Sequence, residues 1–127
     1  MPKIAFLMDP IETVSVKKDS TLAMIAAAQQ RGLEIFYLQQ DGLVLSAGVV
    51  TALTRALRLR DDFCATLDPK TAGDDWYALG DEQAVALAEM DIVMMRKDPP
   101  FDMEYIYTTY LLERAEAEGV MVVNRPS

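Results

Sequence analysis

Residues 91–102, with the sequence DIVMMRKDPPFD, decide how the rest of this chain is organised. The apolar run that opens this segment is typical of a strand covered on both faces of a sheet, and we predict a strand over residues 91–96. Three charged residues follow, and two prolines then block both strand and helix, because proline lacks an N–H and restricts the residue before it. The segment therefore predicts a buried strand, a rigid charged loop and a helix over residues 103–118, capped by Asp102.

The amino-terminal part of the chain repeats this alternation of strand and helix. Residues 3–8 form an apolar run that predicts a first buried, parallel strand. A helix then starts with Asp19 or Ser20 as its cap and stops before Gly32, and residues 33–38 predict a second strand. A strand, a helix and a second strand form one βαβ unit, whose crossover is almost always right-handed.

A hairpin is predicted between the two helical regions, with residues 43–45 and 49–51 joined by a turn at 46–48. Residues 52–60 fit either an amphipathic strand or a helix, and we predict a strand at an antiparallel edge. Loop signals dominate residues 61–80, apart from a possible short strand at 76–79.

Three further predictions complete the course of the chain. We expect an exposed, mobile loop between residues 67 and 75. Residues 81–89 have a weak helical or turn pattern, and residues 120–123 predict a last buried strand. Residues 124–127 leave that strand with the sequence NRPS, which we interpret as the start of a linker to a further module.

Composition indicates one globular domain over the 127 residues, 51% of them apolar, with a net charge of −8. That charge argues against nucleic acid or an anionic membrane as a partner, because both select basic surfaces. The chain has no histidine, the commonest general base and metal ligand. Cys64 is the only cysteine, so no internal disulfide forms and a reducing compartment is expected.

Five segments carry a resemblance to a known family: 8–10 (MDP), 17–20 (KKDS), 95–102 (MRKDPPFD), 110–115 (YLLERA) and 123–126 (VNRP). In this order the chain resembles the amino-terminal domain of bacterial glutathione synthetase. The resemblance spans residues 1–127 and implies a single Rossmann-like, three-layer α/β/α domain with a mostly parallel sheet and an added β-hairpin. In the family this domain precedes an ATP-grasp module, which these residues do not contain.

The resemblance also implies a function for the full-length protein. The family joins γ-glutamylcysteine to glycine with ATP hydrolysis, through an acyl phosphate, and binds ATP and Mg²⁺ in the ATP-grasp module. We therefore expect this chain alone to bind no cofactor, to contribute no catalytic residue and no metal ligand, and to be inactive. The resemblance further implies a cytoplasmic enzyme that is a homo-oligomer and has neither nucleic acid nor membrane as a partner.

Arg96, Lys97 and Asp98 form the first group of candidate substrate-binding residues. They follow the predicted central strand, and ligands of open α/β sheets bind beyond the carboxyl ends of strands. Arginine binds a carboxylate in a bidentate manner and lysine acts as a point charge. These side chains therefore suit a substrate carboxylate, or the phosphate side of an active site shared with another module. The alternative is a solvated loop that merely ends a strand, and we favour binding because two prolines fix the loop. Within the binding interpretation, an alternative role for Asp98 is to hold Arg96 or the next helix in place.

Asp9, Ser15, Asp19 and Ser20 form the second group and occupy the loop after the first strand. A helix N-terminus at this loop offers N–H groups to an anionic ligand. The alternative is plain helix capping, which we favour for at least one of Asp19 and Ser20. The loop has no glycine-rich phosphate fingerprint, which argues against a dinucleotide site.

Other chemically distinctive residues are interpreted as structural. Tyr105, Tyr107 and Tyr110 lie on the second helix with a spacing more typical of core packing than of a pocket or a subunit contact. Cys64 lacks the electropositive surroundings that activate a thiol, so we predict that it is inert. Two alternative functions stay open: a stand-alone α/β binding or signalling module, and a domain that serves oligomerisation.

Overall fold

The structure, a computed structural model, describes residues 2–8, 10–11, 20–39, 42–67, 76–96 and 103–124 of the chain. Within them it contains, in chain order, β1 (Lys3–Leu7), α1 (Ser20–Gln30), β2 (Glu34–Leu38), β3 (Leu43–Ser46), β4 (Val49–Leu59), α2 (Asp61–Thr66), β5 (Tyr77–Leu79), β6 (Gln83–Ala86), β7 (Ile92–Met95), α3 (Met103–Ala117) and β8 (Met121–Asn124). A 3-10 turn over Leu87–Glu89 separates β6 from β7. The predicted mobile loop at 67–75 lies outside the described residues, except for Leu67.

Four parallel strands form one half of the sheet, in the order β2-β1-β7-β8. β1 lies at the centre of this half, so that Ala5 pairs with Phe36 of β2 on one side and with Val93 of β7 on the other. The chain passes from β1 through α1 to its parallel neighbour β2, which confirms the predicted βαβ unit. Gly32, which follows α1, has a φ of +80°, a conformation that glycine adopts at a helix end without steric cost.

The other half of the sheet is antiparallel and is organised around β4. This strand of 11 residues pairs with β2, β3, β5 and β6, all of them antiparallel. The predicted hairpin is confirmed, and the strand predicted for 52–60 is confirmed as part of β4, but its predicted position at an edge is wrong. The prediction of a mostly parallel sheet is also wrong, since the sheet is mixed. Short connections such as the turn at 47–48 allow only antiparallel neighbours.

Helices cover both faces of the sheet and enclose two apolar cores. On one face α1 and α2 pack against side chains such as Phe6 and Leu59, and on the other face α3 packs against side chains such as Leu7 and Val93. The side chains of β7 alternate between these faces, with Met94 packed against the first core and Met95 buried in the second. The prediction of an α/β fold, with a central strand that is apolar on both faces, is therefore confirmed.

β4 takes part in both cores because each half of the strand is covered on a different face. Val50 and Ala52 are buried against the core of α3, whereas Leu57 and Leu59 are buried against the core of α1 and α2. The opposite face of the first half of β4, which includes Leu53, is left uncovered by the described residues.

Two elements differ from the prediction in the region between β4 and β7. α2 occupies part of the predicted loop at 61–80, and its first turn carries Asp61 and Asp62, which favour the positive end of a helix dipole. β6 replaces the predicted helix or turn in the first part of 81–89, because four residue pairs with β4 outweigh a weak local preference. The short strand predicted at 76–79 is confirmed by β5.

The carboxyl-terminal elements are present as predicted but are less buried. β8 is an edge strand rather than a buried one, and the side chain of Met121 is 61% exposed. Among the described side chains of α3, Leu111, Leu112 and Ala115 are buried. The prediction that Tyr110 packs in the core is wrong, because this side chain is 48% exposed. The side chains of Tyr105 and Tyr107 lie outside the described residues.

Candidate functional site

The carboxyl ends of β1 and β7 meet at a point where the chain turns in two directions. After β1 the chain forms α1 on one face of the sheet and returns as β2, the neighbour of β1. After β7 it forms α3 on the other face and returns as β8, which lies on the opposite side of the β1–β7 pair. The two connections diverge between these strands, which makes this position a topological switch point of the sheet. Open α/β sheets bind ligands at such a switch point, so the fold itself selects this position as the candidate site.

Arg96 lies at this switch point, directly after β7. Its backbone N–H donates a hydrogen bond of 2.7 Å to the carbonyl oxygen of Leu7, which joins the ends of the two strands. Its side-chain Nε donates to the hydroxyl Oγ1 of Thr21 at 3.3 Å. Thr21 is buried in the first turn of α1, so the guanidinium is held across the end of β1 against the start of that helix.

The structure brings together part of the predicted site. Arg96 and the beginning of α1 at Ser20 lie at the same edge of the sheet. The side chain of Ser20 lies outside the described part of the chain. The same is true of the other predicted residues, which are Asp9, Ser15, Asp19, Lys97 and Asp98. Their contribution to the site stays a prediction.

Tyr37 is a residue of this region that sequence reasoning missed. It is buried near the end of β2, and its hydroxyl accepts a hydrogen bond of 3.1 Å from the backbone N–H of Ile11 and one of 2.9 Å from Nε2 of Gln39. Tyr37 thereby anchors the segment that follows β1, where Ile11 is fully buried. The only signal in the sequence is a hydroxyl in an apolar strand, because a buried phenol needs a hydrogen-bond partner.

A cleft of ≈ 230 Å³ lies one strand away, beyond the carboxyl end of β2. Gly42 forms part of its wall, and a Cβ at this position would lie 3.2 Å from the carbonyl oxygen of Leu53. Arg55 and Glu82 bring opposite charges to the cleft, and Nε of Arg55 donates to the carbonyl oxygen of Gly80 at 2.7 Å. The sequence analysis did not predict this cleft, because it arises from the pairing of β4 with β2 and β6.

α2 carries two groups whose pKa values depart from their ordinary values. A hydrogen bond from Arg60, with Nε and Oδ1 2.6 Å apart, lowers the pKa of the exposed Asp62 carboxyl. Burial raises the pKa of the Cys64 thiol, which keeps it protonated and agrees with the prediction of an inert cysteine.

The described residues do not form a metal site or a membrane span. No three of their His, Cys, Asp and Glu side chains converge into a group that could hold a metal ion. Within the same part of the chain no helix has the length and apolar character needed to cross a membrane. What the switch point does contain is a guanidinium, a group that binds carboxylates in a bidentate manner.

Comparison with known proteins assigns a family to the chain. The model of the prokaryotic glutathione synthetase N-terminal domain matches residues 2–127. Glutathione synthetase of Vibrio cholerae is 48% identical over 126 residues, which are 99% of this chain and 36% of that protein. Glutathione synthetase of Pseudomonas putida is 49% identical over 124 residues, 98% of this chain and 36% of that protein. The chain thus spans little more than a third of the length of these relatives, and it belongs to the family of prokaryotic glutathione synthetase N-terminal domains.

Proposed function

We propose that this chain is the substrate-side domain of a glutathione synthetase, which ligates γ-glutamylcysteine and glycine with ATP hydrolysis. The family match over residues 2–127 supports this proposal, together with the relatives that carry the same name. The observation that carries the role of this domain is the position of Arg96, whose Nε contacts Thr21 at the switch point of the sheet. The enzyme is proposed to be cytoplasmic, in keeping with Cys64, the one cysteine of this chain, which forms no disulfide.

Arg96 is proposed to bind a carboxylate of the peptide substrate. γ-Glutamylcysteine carries two carboxylates, and the guanidinium fork matches the geometry of a carboxylate better than an ammonium group does. The contact with Thr21 fixes the direction of the side chain before substrate arrives, which lowers the entropy lost on binding. Arg96 is thus a substrate-binding residue that orients the peptide for activation by another module.

The remaining predicted residues are proposed to complete the same surface. Ser20 begins α1, and the N–H groups of a helix N-terminus favour an anion. Lys97 and Asp98 directly follow Arg96 in the sequence, and Asp9, Ser15 and Asp19 precede α1. Because Arg96 is held against the first turn of α1, both groups are proposed to face one substrate.

ATP and Mg²⁺ are proposed to bind in the ATP-grasp module of the full-length enzyme and not in this chain. The sequence has no glycine-rich phosphate loop, and the described residues contain no convergent group of acidic side chains that suits Mg²⁺. The acyl phosphate of the substrate would therefore form in the other module, while this domain holds the peptide. The isolated chain is proposed to be inactive.

The role of Arg96 is tested in the full-length enzyme with the Arg96→Gln variant and the matched control Arg58→Gln. Arg58 is an exposed arginine that pairs with Asp61 on the outer surface, so its loss removes the same charge away from the site. Loss of a charge-assisted hydrogen bond costs about 1.5–3 kcal/mol, so kcat/KM for γ-glutamylcysteine should fall about 10- to 100-fold in Arg96→Gln. Equal activity of the two variants, with both folded by circular dichroism, would contradict the proposal.

The assignment of the nucleotide to another module has its own test. Calorimetric titration of the 127-residue chain with ATP and Mg²⁺ should show no saturable heat of binding. Stoichiometric binding of ATP to this chain would overturn the assignment, without bearing on the role of Arg96.

A further inference from the structure

A row of polar residues crosses three neighbouring strands at the cleft beyond the carboxyl end of β2. Tyr37 of β2 pairs with Arg55 of β4, and Thr54 of β4 pairs with Gln83, the first residue of β6. Glu82 directly precedes Gln83, so continuation of that register places it opposite Arg55 on the other side of β4. Residues opposite one another on antiparallel strands share a face, and Tyr37, Arg55 and Glu82 all line the cleft.

The cleft lies on the same face of the sheet as the side chain of Arg96. Tyr37 belongs to the core of α1 and α2, which fixes the face of the polar row. On β7, Met94 packs against the same core, and alternation along the strand directs Arg96, two residues further on, to that face. The contact between Arg96 and Thr21 of α1 agrees with this position. The cleft and the guanidinium of Arg96 thus lie on one face and at one edge of the sheet.

Arg55 and Glu82 bring opposite charges to the cleft without neutralising each other. Nε of Arg55 donates to the carbonyl oxygen of Gly80 at 2.7 Å, and its two terminal nitrogens have no hydrogen-bond partner within the described residues. The carboxylate of Glu82 forms no ion pair with a cation in the same part of the chain. A guanidinium and a carboxylate with unused donors and acceptors in one cleft match a ligand that carries one charge of each sign.

The cleft also has the size and the neutral polar groups that a small zwitterion requires. Its volume of ≈ 230 Å³ corresponds to roughly eight water molecules at about 30 Å³ each. The amide of Gln39 donates from Nε2 to the hydroxyl of Tyr37 at 2.9 Å, which leaves Oε1 as an acceptor at the cleft. An α-amino acid group, with its ammonium, Cα and carboxylate, fits this space.

We propose that this cleft binds the γ-glutamyl end of the peptide substrate, with Arg55 on its α-carboxylate and Glu82 on its α-ammonium group. The inference rests on the proposed function, because that function supplies the peptide. The two carboxyl carbons of an extended γ-glutamylcysteine lie roughly 9 Å apart. Arg96 is held across the end of β1, and the gap between β2 and β4 is roughly 7 Å away at a strand spacing of about 4.8 Å. One peptide can therefore place its γ-glutamyl end in the cleft and its cysteinyl carboxylate, the one joined to glycine, at Arg96.

Glycine carries the same two charged groups, but its amine is the nucleophile of the ligation. A carboxylate beside that amine stabilises the ammonium form, which has no lone pair with which to attack the acyl phosphate. The α-amino group of the γ-glutamyl residue takes no part in the reaction, so an ion pair with Glu82 is compatible with catalysis. The chemistry of the cleft therefore favours the peptide over glycine.

Two analogues of the peptide test the two contacts separately in the full-length enzyme. Glutarylcysteine lacks the α-amino group, and γ-aminobutyrylcysteine lacks the α-carboxylate. The unaltered enzyme should use each analogue with a kcat/KM about 10-fold below that of γ-glutamylcysteine, the low end for a hydrogen bond to a charged group, because the cleft is open to solvent. In Glu82→Gln the preference over glutarylcysteine should disappear, whereas the preference over γ-aminobutyrylcysteine should remain. Arg55→Gln should show the opposite pattern.

Glu89→Gln and Arg58→Gln are the matched controls for these two variants. Both remove the same charge at exposed positions outside the cleft, and both should keep the two preferences of the unaltered enzyme. Damage to the fold lowers kcat/KM for all three peptides by the same factor, so the ratios separate a contact from a loss of structure. Preferences that persist in both Glu82→Gln and Arg55→Gln would overturn the inference, as would an effect confined to the KM for glycine.

Failure of this inference is distinguishable from failure of the proposed function. If the unaltered full-length enzyme does not join γ-glutamylcysteine to glycine, the proposed function falls and the inference falls with it. If the enzyme is active and Arg96→Gln behaves as expected, persistent preferences in the cleft variants refute the role of the cleft alone.

Discussion

Gln29 shows how a single side chain completes the edge of a strand. Its Nε2 donates to the carbonyl oxygen of Leu59 at 2.8 Å, and its Oε1 accepts from the backbone N–H of Leu59 at 2.8 Å. The side-chain amide of Gln29, on α1, thus takes the place of a neighbouring strand at the end of β4. It satisfies two backbone groups that are otherwise costly to leave without partners in a half-buried position.

Replacement of Gln29 should therefore destabilise the chain more than replacement of its neighbour. Gln29→Ala leaves both backbone groups of Leu59 unpaired, which should lower the free energy of unfolding by about 1–3 kcal/mol. Gln30 is an exposed side chain whose Nε2 donates to the carbonyl oxygen of Cys64 at 3.2 Å, so Gln30→Ala should cost less than about 1 kcal/mol. Urea denaturation measures both, and equal losses would contradict this role of Gln29.

The buried thiol of Cys64 should make stability depend on alkaline pH. Burial raises its pKa above the 9.0 of an unperturbed thiol, so the folded state keeps the proton at a pH where the unfolded state loses it. The contribution to stability is full below pH 9.0 and is lost as the pH rises through the folded pKa. Urea denaturation at about pH 8 and about pH 10 should show a smaller fall in stability for Cys64→Ala than for the unaltered chain. An identical fall in both would contradict the prediction.

Elements whose signals are local could be predicted from the sequence, and elements that depend on a distant partner could not. β1, α1 and β2 follow from an apolar run, a capped helix and a glycine, and the hairpin follows from its turn. β6 has the sequence QAVA, which carries no strand pattern, and only its pairing with β4 makes it a strand. The position of Arg96 could be predicted because parallel strands end at one edge of a sheet. Its contact with Thr21 could not, since it depends on how α1 packs.

The turn of the β3–β4 hairpin offers a prediction at the scale of the element. Ala47 and Gly48 have φ values of 52° and 81°, and two successive positive values are typical of a type I′ turn. Asparagine adopts this conformation more readily than alanine, so Ala47→Asn should raise the free energy of unfolding by about 0.5–1 kcal/mol. Ala47→Val should lower it, because a β-branched side chain is strained at positive φ. Thermal unfolding measures both changes, and shifts of the same sign would contradict this interpretation of the turn.

At the scale of the whole molecule, β4 makes the two cores depend on each other. Its first half is buried with α3 and its second half with α1 and α2, so neither core is complete without the same continuous strand. Loss of either core removes the support of one half of β4 and exposes the strand that the other core needs. We therefore expect the chain to unfold as one cooperative unit, as most single domains of this size do.

Trp76 makes this cooperativity measurable. It is the only tryptophan of the chain and is buried in the core of α1 and α2, with its ring 5.1 Å from that of Phe63. Leu111 is fully buried in the opposite core, where Leu111→Ala should cost about 2–5 kcal/mol. If β4 couples the cores, Leu111→Ala lowers the urea midpoint of Trp76 fluorescence as much as that of circular dichroism. Tyr110→Ala alters an exposed neighbour on α3 and should leave both midpoints nearly unchanged. A Trp76 midpoint that stays in place while circular dichroism shifts would show that the two cores unfold separately.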